Sequence, residues 1–99
     1  MERFDIYWFS YVNQDGTQKT RPVLILEQGV LIPITEITSH TPRTDKDYAI
    51  KNWEAAGLLK PSTIRFDKVQ FATENLLKDK IGHLMKEDID KILELKLIK

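Results

Sequence analysis

The stretch "KTRPVLILEQGVLIPIT", Lys19 to Thr35, decides how this chain is read. Arg21 stands before Pro22, and Val23, Leu24, Ile25 and Leu26 follow as an unbroken apolar run. A run this short, bounded by turn formers, is consistent with a strand buried on both faces. Pro22 fits the first residue of that strand, where its missing N–H costs no ladder bond. Gln28-Gly29 breaks the run, and Val30–Thr35 forms a second one, with Pro33 inside it predicting an edge position or a bulge. If the two strands make a hairpin, Arg21 at the mouth of the first and Thr35 at the far end of the second reach the same rim of a sheet.

Upstream, "DIYWFSYV" (Asp5–Val12) has the aromatic and β-branched content of a strand. "NQDGTQ" (Asn13–Gln18) carries Asp-Gly, a strong turn signal. Downstream, the polar, proline-containing segment Glu36–Asp47 reads as a loop. Tyr48–Leu58 reads as a short strand followed by one helical turn that Gly57 stops. In Lys60–Ala72, Ile64 and Phe66 alternate with Arg65 and Asp67, which places a base and an acid on one face of a strand. Residues 72–82 read as a helical turn or segment ending at Gly82. The last fourteen residues carry Ile89, Ile92 and Leu93 at helical spacing, with Glu87 and Asp88 in the first turn. Several short strands and a terminal helix predict a mainly β protein with α: a small half-open barrel with helices packed on it.

Composition bounds the function. Ninety-nine residues, 41% apolar and 30% charged, fit one globular domain spanning 1–99. Fifteen basic residues balance fifteen acidic ones, so nucleic-acid binding would have to come from a local patch. The chain has no cysteine, which excludes disulfides and thiolate metal sites. His40 and His83 are too far apart in sequence to form a ligand pair of metal spacing. No signal-peptide core and no apolar run near the roughly 18 residues of a membrane span is present, so the expected location is the cytoplasm.

Five pieces together resemble the PemK/MazF family of toxins from bacterial toxin–antitoxin systems: "FDIYWF", "RPVLIL", "IPIT" with "EITSH", "WEAAGLLKPSTIRFDKV" and "KIGHLMKEDIDKI". Each is weak alone; in this order they span nearly the whole chain. The resemblance implies an SH3-like barrel of the PemK/MazF/CcdB type, a homodimer, and a sequence-selective endoribonuclease that cuts single-stranded RNA. It implies metal-independent chemistry with no cofactor, in which the RNA's own 2′-hydroxyl attacks the adjacent phosphate to leave a 2′,3′-cyclic phosphate. It also implies a cognate antitoxin as partner. Carried onto this sequence, Arg21 and Thr35 match the strand-two arginine and strand-three hydroxyl, and Arg65 with Asp67 looks like an acid–base pair. Phe4 replaces the family's glycine before Asp5. The loop after the first strand has no histidine, so the proton acceptor is left open.

The chemistry fits these residue types. An arginine fork can clamp phosphate oxygens as charge develops, which suits Arg21 and Arg65. Thr35 can donate a hydrogen bond, and Asp67 can move a proton unless Arg65 merely holds it ionised. Lys19, Thr38, His40 and Arg43 are candidate RNA contacts from loops and strand ends. On spacing alone, Arg65 and Asp67 would be a surface pair worth roughly 0–1 kcal/mol. Trp8 and Trp53 could stack bases, but core or interface roles are the simpler reading. The competing function is a non-catalytic RNA- or protein-binding module, or a gyrase-inhibitor-like toxin, on the same barrel.

Overall fold

In the computed structural model, which describes residues 1–98, β1 (Asp5–Val12) and β2 (Gln18–Ile25) are the arms of a hairpin. Asp-Gly makes the turn between them. Gly16 takes a φ of 88°, open to glycine at no steric cost, and Asp15 accepts a hydrogen bond from the Thr17 N–H at 2.9 Å. β2 therefore begins four residues before Pro22, which lies mid-strand opposite Trp8 rather than at the strand start. The ladder to the next strand begins only at Val23, so Pro22 has a paired neighbour on one side alone.

β3 (Ile32–Thr38) follows, then β4 (Asp47–Ala49), β5 (Thr63–Ala72) and β6 (Leu77–His83), and α1 (Lys86–Glu94) closes the chain. All ladders are antiparallel, and the strand order is β4-β5-β3-β2-β1-β6. The sheet does not close; β4 and β6 are its edges. β3 extends through Glu36–Thr38, which the sequence reading placed in a loop, because pairing with β5 carries it past the polar residues. Pro33 sits in this central strand, not at an edge. Its carbonyl accepts the Leu26 N–H at 2.9 Å, so its nitrogen faces β2 beyond the last paired residue, Ile25. The bulge falls instead between Thr35 and Glu36, where the β5 register jumps from Val69 to Arg65.

The sheet buries both faces, which explains the unbroken run in β2. Leu24 joins one apolar cluster with Ile6, Ile37, Ile64 and Phe66; Val23 and Ile25 join another with Phe9, Ile32 and Ile34. α1 covers the first cluster through Ile92, which is fully buried, with Ile89 packed at the margin. Leu93, predicted on the same stripe, is exposed. Val30 and Leu31 are exposed too, so the second apolar run enters the sheet only at Ile32.

Residues 52–58 form the expected helical turn. Gly57 (φ 99°) closes it, with its N–H donating to Glu54 and the Leu58 N–H to Trp53, a Schellman ending with Leu58 and Trp53 in the same cluster. This turn lies against β6: a Cβ on Gly82 would sit 1.9 Å from the Ala56 carbonyl oxygen. Residues 72–82 are not a helix beyond one 3₁₀ turn, Glu74–Leu76. Ala72 ends β5, and Leu77–Gly82 lie in β6, whose pairing with β1 overrides a lysine-rich sequence of low strand propensity. Among the described residues no helix is long and apolar enough to cross a membrane.

Candidate active site

Alternation along β2 puts Arg21 on the face of Val23 and Ile25, and alternation along β3 puts Glu36 on the face of Ile34. The register sets Glu36 opposite Val23, diagonal to Arg21. The arginine side chain, about half exposed, reaches it: Nη1 donates to Glu36 Oε1 at 2.7 Å. Nε donates to the Tyr11 hydroxyl at 2.7 Å, and the guanidinium carbon lies 6.0 Å from the Tyr11 ring centre. Tyr11 in turn stacks on Phe9, with ring centres 6.1 Å apart. On the other side of Glu36, β5 sets Arg65 directly opposite it, and β4 sets Asp47 opposite Arg65. A row Tyr11–Arg21–Glu36–Arg65–Asp47 thus crosses five strands on one face.

Arg65 does not pair with Asp67. Its Nε lies 4.0 Å from Asp47 Oδ1, a buried oxygen that has no hydrogen-bond partner among the described residues. The other Asp47 oxygen accepts the Arg43 N–H at 2.9 Å, which ties that loop down. Asp67 falls within residues 66–68, which the bulge leaves without partners on β3; it is exposed, and its side chain makes no hydrogen bond or ion pair among the described residues.

The two hydroxyls of β3 have different fates. Thr35 is fully buried and donates its hydroxyl hydrogen bond to the Arg65 carbonyl, so it secures the bulge instead of reaching the rim. Continuing the register from Val23 and Glu36 brings Thr38, not Thr35, level with Arg21. Thr38, Arg21 and His40 line a cleft of about 480 Å³ whose other walls include Trp8, Pro22 and Leu58. The Thr38 hydroxyl accepts the His40 N–H at 3.4 Å, leaving its own proton free. Lys19 and Arg43 do not line this cleft.

At the opposite end of β1 lies a second polar group. Asp5, buried, accepts from the Glu2 N–H at 2.7 Å, from His83 Nδ1 at 2.7 Å and from Lys80 at 3.3 Å. Burial pushes its carboxyl up, but His83, the Glu2 N–H and Lys80 together hold it below the usual value. Atoms of Glu2, Asp5 and His83 lie within 4.8 Å of one another, close enough to ligate a cation. The Lys80 ammonium already supplies positive charge there, so the group fits a structural tie.

A family model for the PemK-like, MazF-like toxin of type II toxin–antitoxin systems matches residues 2–97. The chain belongs to that family. No curated protein matches the chain. Among solved structures it resembles an endoribonuclease in complex with its cognate antitoxin from a mycobacterial species, at a TM-score of 0.77 and 14% identity over 96% of this chain and 89% of that one. It also resembles a MazE–MazF complex from Deinococcus radiodurans, at a TM-score of 0.75 and 12% identity over 96% and 91%. The Mycobacterium tuberculosis toxin MazF-mt6 follows, at 0.69 and 21% over 90% of each chain. At these identities the likeness is one of fold, and it agrees with the six-stranded antiparallel sheet and C-terminal helix of this PemK/MazF-family toxin.

Of the site residues expected from the sequence, the toxin fold brings Arg21, Thr38 and His40 to one cleft and sets Arg65 opposite Glu36, the partner of Arg21. It withdraws Thr35 into the core and leaves Asp67 apart. Tyr11, Glu36 and Asp47 were missed. For Glu36 the signal was present in Ile32-Pro33-Ile34-Thr35-Glu36: a glutamate in phase with two core isoleucines belongs on a strand face, not at a loop entrance.

Proposed function

We propose that this toxin is a sequence-selective endoribonuclease that cuts single-stranded RNA in the cytoplasm without a metal ion, through 2′-hydroxyl attack to a 2′,3′-cyclic phosphate. The observation that carries the reading is the Arg21 guanidinium, held at two nitrogens by Tyr11 and Glu36 while Nη2 makes no hydrogen bond among the described residues. A guanidinium fixed in this way presents a preoriented donor to a phosphate oxygen, which is stabilisation aimed at the transition state. Arg65 adds a second positive charge one strand away. Thr38 supplies the hydroxyl first assigned to Thr35, and the adjoining cleft with Trp8 offers an apolar wall for a base. Lys19, His40 and Arg43 remain candidate contacts for flanking phosphates.

The toxin acts as a homodimer and is neutralised by its antitoxin. Exposed Leu59, Phe71 and Val69 are apolar surface of the kind that such partners cover. The test is digestion of a long single-stranded RNA in EDTA by the wild type and by Arg21→Ala. Discrete fragments ending in cyclic phosphate, made by the wild type alone, are the expected result. RNA left intact at high protein concentration would replace this reading with a binding module.

A further inference from the structure

The ribonuclease reading leaves its two proton transfers without owners, since Asp67 stands away from the arginines. We propose that Glu36 takes the proton of the attacking 2′-hydroxyl and Tyr11 gives one to the leaving 5′-oxygen, both positioned by Arg21. The inference rests on the ribonuclease reading and deepens it.

Three features carry it. First, one planar guanidinium fixes both groups through different nitrogens, Nη1 to Glu36 and Nε to Tyr11, each at 2.7 Å. Nη2 remains to face an anion, so a phosphate seated there has a carboxylate and a phenol as neighbours. Second, Glu36 uses only Oε1; Oε2 has no hydrogen bond among the described residues, and the side chain is 24% exposed. It has an open acceptor site and access to a ligand. Third, in its bond with Arg21 the Tyr11 oxygen is the acceptor, so the phenolic proton is not used in that bond. Stacking on Phe9 holds the ring's direction.

The step balances. The 2′-oxygen forms its bond to phosphorus as its proton passes to Glu36 Oε2. The bond from phosphorus to the 5′-oxygen breaks, and that oxygen keeps the electron pair and takes the Tyr11 proton. The products are a 2′,3′-cyclic phosphate and a 5′-hydroxyl. Glu36 then loses one proton to water and Tyr11 regains one, which restores the site.

The experiment is single-turnover cleavage of an RNA oligonucleotide carrying a site that the wild type cuts, in EDTA, across pH. Wild type, Glu36→Gln, Glu36→Asp and Tyr11→Phe are compared, and each is also titrated with the same oligonucleotide bearing a 2′-deoxy sugar at the cut. Glu36→Gln is expected to slow cleavage by roughly 10²–10⁴-fold. It should erase the acid limb of the pH–rate profile and bind the uncleavable analogue as the wild type does. Glu36→Asp should keep that limb. Tyr11→Phe should be slow on the normal substrate but near wild type when sulfur replaces the 5′-oxygen, because a thiolate leaves without a proton. An active wild type with an unchanged rate and pH limb in Glu36→Gln overturns the assignment alone, as does equal loss on both substrates in Tyr11→Phe. A wild type that cuts no RNA overturns the ribonuclease reading, and this assignment with it.

Discussion

Asp88 and Glu36 are both carboxylates on regular elements, yet their surroundings differ in every respect that matters. Asp88, in the first turn of α1, is completely buried. Oδ1 accepts the Tyr48 hydroxyl at 2.6 Å and the Lys51 N–H at 2.9 Å, and Oδ2 accepts the Asn52 N–H at 2.9 Å. Burial, and then the hydrogen bond to Asp88 and its charge, push the Tyr48 phenol well above its usual range. These bonds staple the helix to the β4 exit and satisfy backbone donors that nothing else reaches. Glu36 instead has one oxygen free, solvent beside it and a cation that shares its bonding with a phenol. A carboxylate whose capacity is filled holds a fold together; one left part-filled beside an under-used arginine is available to a ligand.

Mutations can break this contrast at several strengths. Asp88→Ala should cost most, roughly 3 kcal/mol or more in urea unfolding, because it strands two backbone N–H groups and a partly buried phenol. A loss below about 1 kcal/mol would mean water replaces the carboxylate and the contrast is false. Gly82→Ala comes next, at about 2 kcal/mol, because its methyl would collide with the Ala56 carbonyl and push the 52–58 turn off β6. A loss below about 0.5 kcal/mol would show that the turn gives way freely and is dispensable.

Asp5→Asn should cost about 1–2 kcal/mol at neutral pH. The folded carboxyl lies below its ordinary value of 3.8, so its contribution is complete above that pH and is lost as pH falls through the lower folded value. The gap between wild type and Asp5→Asn in acid unfolding should therefore narrow below about pH 4. Arg21→Ala should change stability by no more than about 1 kcal/mol, since the Arg21–Glu36 pair is half in water, while removing RNA cleavage. Large destabilisation there would move Arg21 into the structural class with Asp88. Lys86→Ala, which removes a fully exposed i,i+4 pair with Asp90, should leave the unfolding midpoint where it was.

Much of the fold is legible in the sequence alone. Asp-Gly marked the first hairpin, the Val23–Leu26 run marked a strand with two dry faces, and Glu87 with Asp88 marked the start of α1. β6 was not legible, because Lys78-Asp79-Lys80 carries no strand signal until β1 lies beside it. Of the candidate site, Arg21 was legible by its place beside the apolar run. The pairing of Arg65 was not, because the nearest acid in sequence, Asp67, was preferred over Asp47, eighteen positions away in sequence but opposite in register.

The sequence by itself determined the strand and helix periods and the family, since periodicity and motif order are local properties of the chain. Only the tertiary structure decided which threonine faces the core, which acid meets which arginine, and that Tyr11 and Glu36 share one guanidinium. Those facts depend on register across strands and on a bulge at Thr35. A slip of one residue turns every side chain to the other face, and no local pattern encodes that choice.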